Sequence, residues 1–177
     1  MDYRKYHINY TLELNKLLLE VDANLIKKTV SIINKIHKLD RNIFIIGNGG
    51  SSSIANHVSV DFVKSAGMKS LTFNNSNLIT CFANDYGHEY WMKEALKAYC
   101  SKKDLVILIS SSGKSKNIIN AAKYCKKNDI ALLTFSGFDK KNPLRKIGNI
   151  NFYVIIKNAL KNRPESLERK SYHPKTI

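Results

Sequence analysis

The stretch Phe44-Ile45-Ile46-Gly47-Asn48-Gly49-Gly50-Ser51-Ser52-Ser53 decides the fold. Its apolar, β-branched start reads as a buried strand, its glycines as a turn, and its serines as caps for the helix that follows. That helix continues through Ile54-Ala55-Asn56-His57-Val58-Ser59-Val60-Asp61. His57 and Asp61 are four apart, so both project from one face. Strand, glycine turn and helix in this order predict a parallel sheet that binds a ligand at the carboxyl end of a strand, with backbone N–H groups turned toward an anion. A second such unit begins at Leu105-Val106-Ile107-Leu108-Ile109 and turns through Ser110-Ser111-Ser112-Gly113-Lys114-Ser115.

Upstream, residues 1–39 read as helix, with Leu14, Leu17, Leu18, Val21 and Leu25 at helical spacing and a second apolar set at Val30, Ile33 and Ile36. This stripe suits either the chain's own core or another subunit. Downstream of the first unit, Gly67 closes the helix and residues 70–73 form a short strand. A loop at 74–77 then leads into a short helix through Ala83. Residues 84–87 read as a turn and 88–100 as helix. The second unit's helix runs from Lys116 to about Asn128. Strands follow at 130–135 and 151–156, separated by a loop with one helical turn. This alternation predicts an α/β fold with a doubly wound parallel sheet, preceded by N-terminal helices. The expected organisation is one domain over 1–156, helices 1–39 included, followed by a polar tail over 157–177.

The totals agree with one globular domain: 177 residues, 44% hydrophobic and 24% charged. The net charge of +15 is spread over lysine doublets such as Lys27-Lys28 and Lys126-Lys127. Nucleic-acid proteins usually gather such charge on one element with aromatics, so a solvated basic surface is the plainer reading and no nucleic-acid partner is expected. A basic field would also attract phosphorylated metabolites. Cys81, Cys100 and Cys125 make neither a disulfide framework nor a metal-ligand pattern, which suits a reducing compartment. No run has signal-peptide or transmembrane length, so the expectation is a cytoplasmic protein without a membrane partner.

Two familiar phosphate loops are excluded. A P-loop ending in Gly113-Lys114-Ser115 would need glycine where Leu108 sits in a strand. A dinucleotide fingerprint from Gly47 and Gly49 would need a third glycine where Ser52 stands, and the next strand ends in Asn74-Asn75 without a carboxylate for a ribose. What remains is two serine-rich bends. One serine suffices to cap a helix, and residues 110–115 hold four, so the cluster points to a phosphate monoester.

Gly47-Asn48-Gly49-Gly50-Ser51, His57 and Asp61, Asn84-Asp85-Tyr86-Gly87, and Ser110 through Asn117 together resemble the phosphoheptose isomerases of the sugar isomerase (SIS) domain family. The resemblance implies a flavodoxin-like parallel sheet, a homotetramer, and conversion of sedoheptulose 7-phosphate to an aldoheptose 7-phosphate for surface-polysaccharide synthesis. It places Asn48, Gly49, Gly50, Ser51, Asn84 and Asp85 against substrate, with Ser110, Ser111, Ser112 and Ser115 on the phosphate. It makes His57 a zinc ligand and Asp61 both a ligand and the acid–base group. A proton moved between adjacent carbons needs such a carboxylate, and zinc would stabilise the enediol's charge. Without the surrounding motifs, His57 and Asp61 would read as a surface ion pair.

Two departures stand out. Asp61 replaces the family's glutamate and is one methylene shorter. Residues 157–177 contain no apolar helix bearing the family's Glu/Gln and His; His173 and Glu168 do not have that spacing. An isomerase impaired by this difference and a non-catalytic sugar-phosphate-binding SIS domain are therefore the two expectations.

Overall fold

The computed structural model describes residues 2–154, so the expected tail over 157–177, with Glu168 and His173, lies outside the described residues. The main unit spans 21–155, and α1 (Tyr3–Leu19) is the described part of a second unit. Asp2 caps α1 by accepting from the Lys5 amide, and the helix has no buried residue. The stripe expected at Leu14, Leu17 and Leu18 therefore contributes nothing to a core of its own in α1.

In the main unit α2 (Ala23–Lys38) begins at Asp22, whose carboxylate accepts from Asn24 N. Then follow β1 (Ile43–Gly47), α3 (Gly50–Ala66), β2 (Ser70–Leu71), α4 (Ser76–Tyr86), α5 (Trp91–Tyr99), β3 (Leu105–Ser110), α6 (Lys116–Lys127), β4 (Ala131–Gly137) and β5 (Ile150–Val154). A 3-10 turn, Leu144–Lys146, links the last two strands.

All strand pairs are parallel, in the order β2-β1-β3-β4-β5. This is the flavodoxin-like arrangement, whose order reverses between β1 and β3. Alternation along each strand divides the core. Phe44, Ile46, Val106, Leu108 and Leu132 pack with α5 and α6, while Ile43, Ile45, Leu105, Ile107 and Leu133 pack on the side of α2 and α3. Burial of both faces explains why β1 and β3 are continuous apolar runs.

β4 runs on to Gly137 and β5 begins at Ile150, and three other boundaries also differ from expectation. The second strand pairs only over Ser70 and Leu71, because the polar run that follows turns to hydrogen-bond with α3 instead. Residues 84–86 are the last turn of α4 rather than a separate turn after it; Asn75 caps that helix and Gly87, at φ 84°, ends it. α5 starts three residues later than expected, at Trp91.

Candidate functional site

The register sets Gly47 of β1 beside Ile109 of β3, so the glycine turn and the serine bend leave adjacent strand ends at the switch point. Neighbouring strands are about 4.8 Å apart, which places Asn48 and Ser110 within reach of one small ligand. A reciprocal amide pair joins the glycine turn to the first turn of α6, just past the serine bend: Asn48 Nδ2 donates to Asn117 Oδ1 at 3.0 Å, and Asn117 Nδ2 donates to Asn48 Oδ1 at 3.1 Å. Asn117 is buried, and its Oδ1 also accepts from Ile118 N. An open cavity of about 520 Å³ lies over this pair, lined by Asn48, His88, Glu89, Ser115, Lys116 and Asn117.

The glycine turn is tight. Gly49 takes φ 53°, ψ −124° at the N-cap of α3, so the expected serine caps do not form there; a β-carbon at this conformation would be strained. Gly50 and Ser51 are the first residues of α3. Ser115 occupies the N-cap of α6 but makes no side-chain capping bond. Its hydroxyl and the first amides of α6, which have no intrahelical partner, are available to an anion.

The serine bend is held from beneath. The Ser110 carbonyl and hydroxyl both accept from Gly113 N, the Ser111 carbonyl accepts from Gly137 N, and the Ser112 hydroxyl accepts from Lys114 N. Gly113 has φ 61°, and its carbonyl accepts from Leu144 N. Buried Asn142 sits against it, donating to the carbonyls of Gly137 and Asp139 and accepting from Arg145 N. Lys114 turns away to Asp139 at 2.6 Å, and its hydrogen bond holds that carboxyl below its ordinary value. A lowered folded-state value means the stabilisation is present above the ordinary 3.8 and is lost as pH falls through the lower one.

Of the expected substrate residues only Asn48 and Ser115 line the cavity; Gly49, Gly50, Ser51, Ser110, Ser111 and Ser112 lie in the turns beside it. His57 Nε2 and Asp61 Oδ2 are 3.5 Å apart on α3, but both side chains are mostly exposed and neither lines the cavity. From Gly50 they are about 10 and 16 Å further along the helix axis. Asn84 and Asp85 are exposed on the last turn of α4, where Asn84 Nδ2 donates to Asp85 Oδ1 at 3.0 Å and Cys81 Sγ lies 3.7 Å from Asp85 Oδ2. They stand just before His88 and Glu89, which do line the cavity. Sequence reasoning missed His88, Glu89, Lys116 and Asn117 as site residues. The Glu89–Lys116 ion pair, 3.3 Å, crosses from one element to another and left no local pattern. Asn117 had a signal: an asparagine at the start of an otherwise apolar helix face.

Among the described residues, no group of three or more His, Cys, Asp or Glu side chains could hold a metal. A zinc site takes about four ligands. The pair His57 and Asp61 by itself does not fit one.

Fold and cavity together define a doubly wound α/β protein with a small polar cavity at its topological switch point. The SIS domain family matches residues 7–137, and the chain belongs to that family. It is 31% identical over 137 residues to the phosphoheptose isomerase of Helicobacter pylori strain P12, covering 73% of this chain and 71% of that protein. It is 32% identical over 128 residues to the phosphoheptose isomerase of Aneurinibacillus thermoaerophilus, covering 68% and 65%. The chain spans about half to two thirds of the length of several such relatives. Among solved structures, phosphoheptose isomerases from Neisseria gonorrhoeae and Francisella tularensis share the fold. Their TM-scores are 0.75 and 0.77 at 18% and 16% identity, each over 88% of this chain and 85% and 84% of theirs. No helix among the described residues is long and apolar enough to cross a membrane.

Proposed function

We propose that this chain is a sugar-phosphate aldose–ketose isomerase that takes sedoheptulose 7-phosphate to D-glycero-D-manno-heptose 7-phosphate, in the cytoplasm, for lipopolysaccharide or capsule heptose. The observation that carries this reading is the amide pair that ties the glycine turn to the start of α6, over a cavity that Asn48 and Ser115 both line. Ser110, Ser111, Ser112 and Ser115 are assigned to the phosphate. Asn48, Gly49, Gly50, Ser51, Asn84 and Asp85 are assigned to the sugar. Asp61 is assigned the proton transfer between the two carbons, which lie at the far end of the sugar from its phosphate. His57 and Asp61 would supply only two of the roughly four ligands that zinc takes. The domain assigned to this activity is residues 1–156.

A homotetramer belongs to this reading. Ile54, Val60 and Val63 are each more than half exposed on α3, on the helix that carries His57 and Asp61. Covering them with a second copy would bury apolar surface and remove water from around Asp61.

A second reading, a SIS domain that binds a sugar phosphate without turning it over, is favoured by one observation: Asp61 does not line the cavity. Incubating the protein with sedoheptulose 7-phosphate and following aldoheptose phosphate separates the two. The isomerase reading predicts turnover, with Asp61→Asn lowering kcat by about 100-fold or more, the usual weight of general base catalysis. Substrate affinity should stay nearly unchanged in that variant. Binding without turnover supports the second reading, and a fully active Asp61→Asn removes this residue as the base.

A further inference from the structure

A larger cavity, about 730 Å³, opens at the other end of the sheet, beneath the amino ends of β3 and β4. Five lysines surround it from four separate parts of the chain: Lys35 on α2, Lys102 and Lys103 before β3, Lys126 on α6, and Lys146 on the 3-10 turn. Among the described residues none of the five is in an ion pair, a state they share with other surface lysines; what sets them apart is that four parts of the chain bring them to one cavity.

Helix ends account for only part of this charge. The C-termini of α2 and α6 point to this end, and each carries about half a negative charge. Lys35 and Lys126 would offset those. Lys102, Lys103 and Lys146 are on no α-helix and remain in excess. The cavity's two carboxylates do not cancel them all. Asp104 is buried and spent on the amides of Asn42 and Ser101, while Asp129 is exposed at the rim.

The wall beneath the lysines is aliphatic, made by Ile32, Ile36, Leu39 and Ile147, with neither an aromatic ring nor an arginine in the lining. A nucleotide base would find nothing to stack on, and a planar carboxylate would find no fork. Point charges above aliphatic surface suit a compact polyanion attached to an aliphatic body, and the volume lies in the range of small-molecule sites. We propose that this cavity binds an organic diphosphate with an aliphatic chain, the diphosphate among the lysines and the chain against Ile32, Ile36 and Leu39.

The test is calorimetric titration of the full chain with inorganic diphosphate and with geranyl diphosphate. Both should bind, and the aliphatic ligand should bind about tenfold tighter or better for the apolar area it covers. Lys102→Gln with Lys126→Gln, both on exposed side chains, should weaken both ligands by about tenfold or more. Leu39→Ser, half-exposed in the native chain, should weaken geranyl diphosphate alone. Ser115→Ala should change neither. The proposal is overturned if neither ligand binds, if the lysine variants bind normally, or if Ser115→Ala abolishes binding. It is overturned equally if the lysine pair matters only for adsorption to phosphatidylglycerol vesicles or to DNA.

Discussion

Gly113→Ala should lower stability by about 3–5 kcal/mol, combining the left-handed backbone penalty with disruption of a buried hydrogen-bonded side chain. The backbone there has φ 61°, and a β-carbon would overlap both Cγ and Oδ1 of Asn142. Asn142 cannot retreat freely. It is buried, and its amide holds the Gly137 and Asp139 carbonyls and the Arg145 amide. Displacing it frees the loop after β4 and the serine bend together. At about 2–4 °C per kcal/mol for a chain of this size, the melting temperature should fall by roughly 6–20 °C. Asn142→Ala alone should also destabilise. In the double variant the clash is gone, so the two losses should sum to clearly more than the measured total. Strict additivity would show that the bend does not rest on Asn142.

Gly47→Ala should destabilise less, but should damage both fold and site, for a different reason. A β-carbon at Gly47 would lie 2.6 Å from the Ser51 carbonyl carbon and 2.7 Å from both its oxygen and its β-carbon. The obstacle is mostly the backbone of a helix rather than a rotatable side chain. α3 would have to withdraw by most of an ångström, loosening Ala55, Val58 and Phe62 from the sheet. Overpacking of this kind costs about 1–3 kcal/mol. Ligand affinity should fall as well, by about tenfold or more, because Asn48 would move out of register with Asn117. Thermal melts and a sugar-phosphate titration on one preparation check both parts. A variant with native affinity would show that the turn does not position the site.

What could be read in advance was whatever the chain repeats locally. The apolar runs of β1 and β3 are buried on both faces, so their pattern is independent of their neighbours, and the parallel sheet follows. The serine-rich bend was legible as a bend, and two of its hydroxyls, on Ser110 and Ser112, are spent accepting from the amides of Gly113 and Lys114 within it. β2 was overestimated because Thr72 and Asn74 prefer bonds to Asn56 and Ser52 over a strand partner. The cavity's His88 and Glu89 escaped notice because they reach Ser115 and Lys116 only through folding. His57 and Asp61 were read correctly as neighbours on a helix face. Their distance from the cavity depends on how far along α3 the turn begins, which their spacing from each other does not encode.

The central claim is that the glycine turn and the serine bend hold a single phosphate monoester between them. The most direct measurement is the dissociation constant of sedoheptulose 7-phosphate for the native chain, Ser112→Ala and Ser115→Ala, with melting curves to establish that each variant is folded. Each lost hydroxyl should weaken binding by about tenfold, the usual weight of a hydrogen bond to a charged group. Two folded variants with native affinity would contradict the claim.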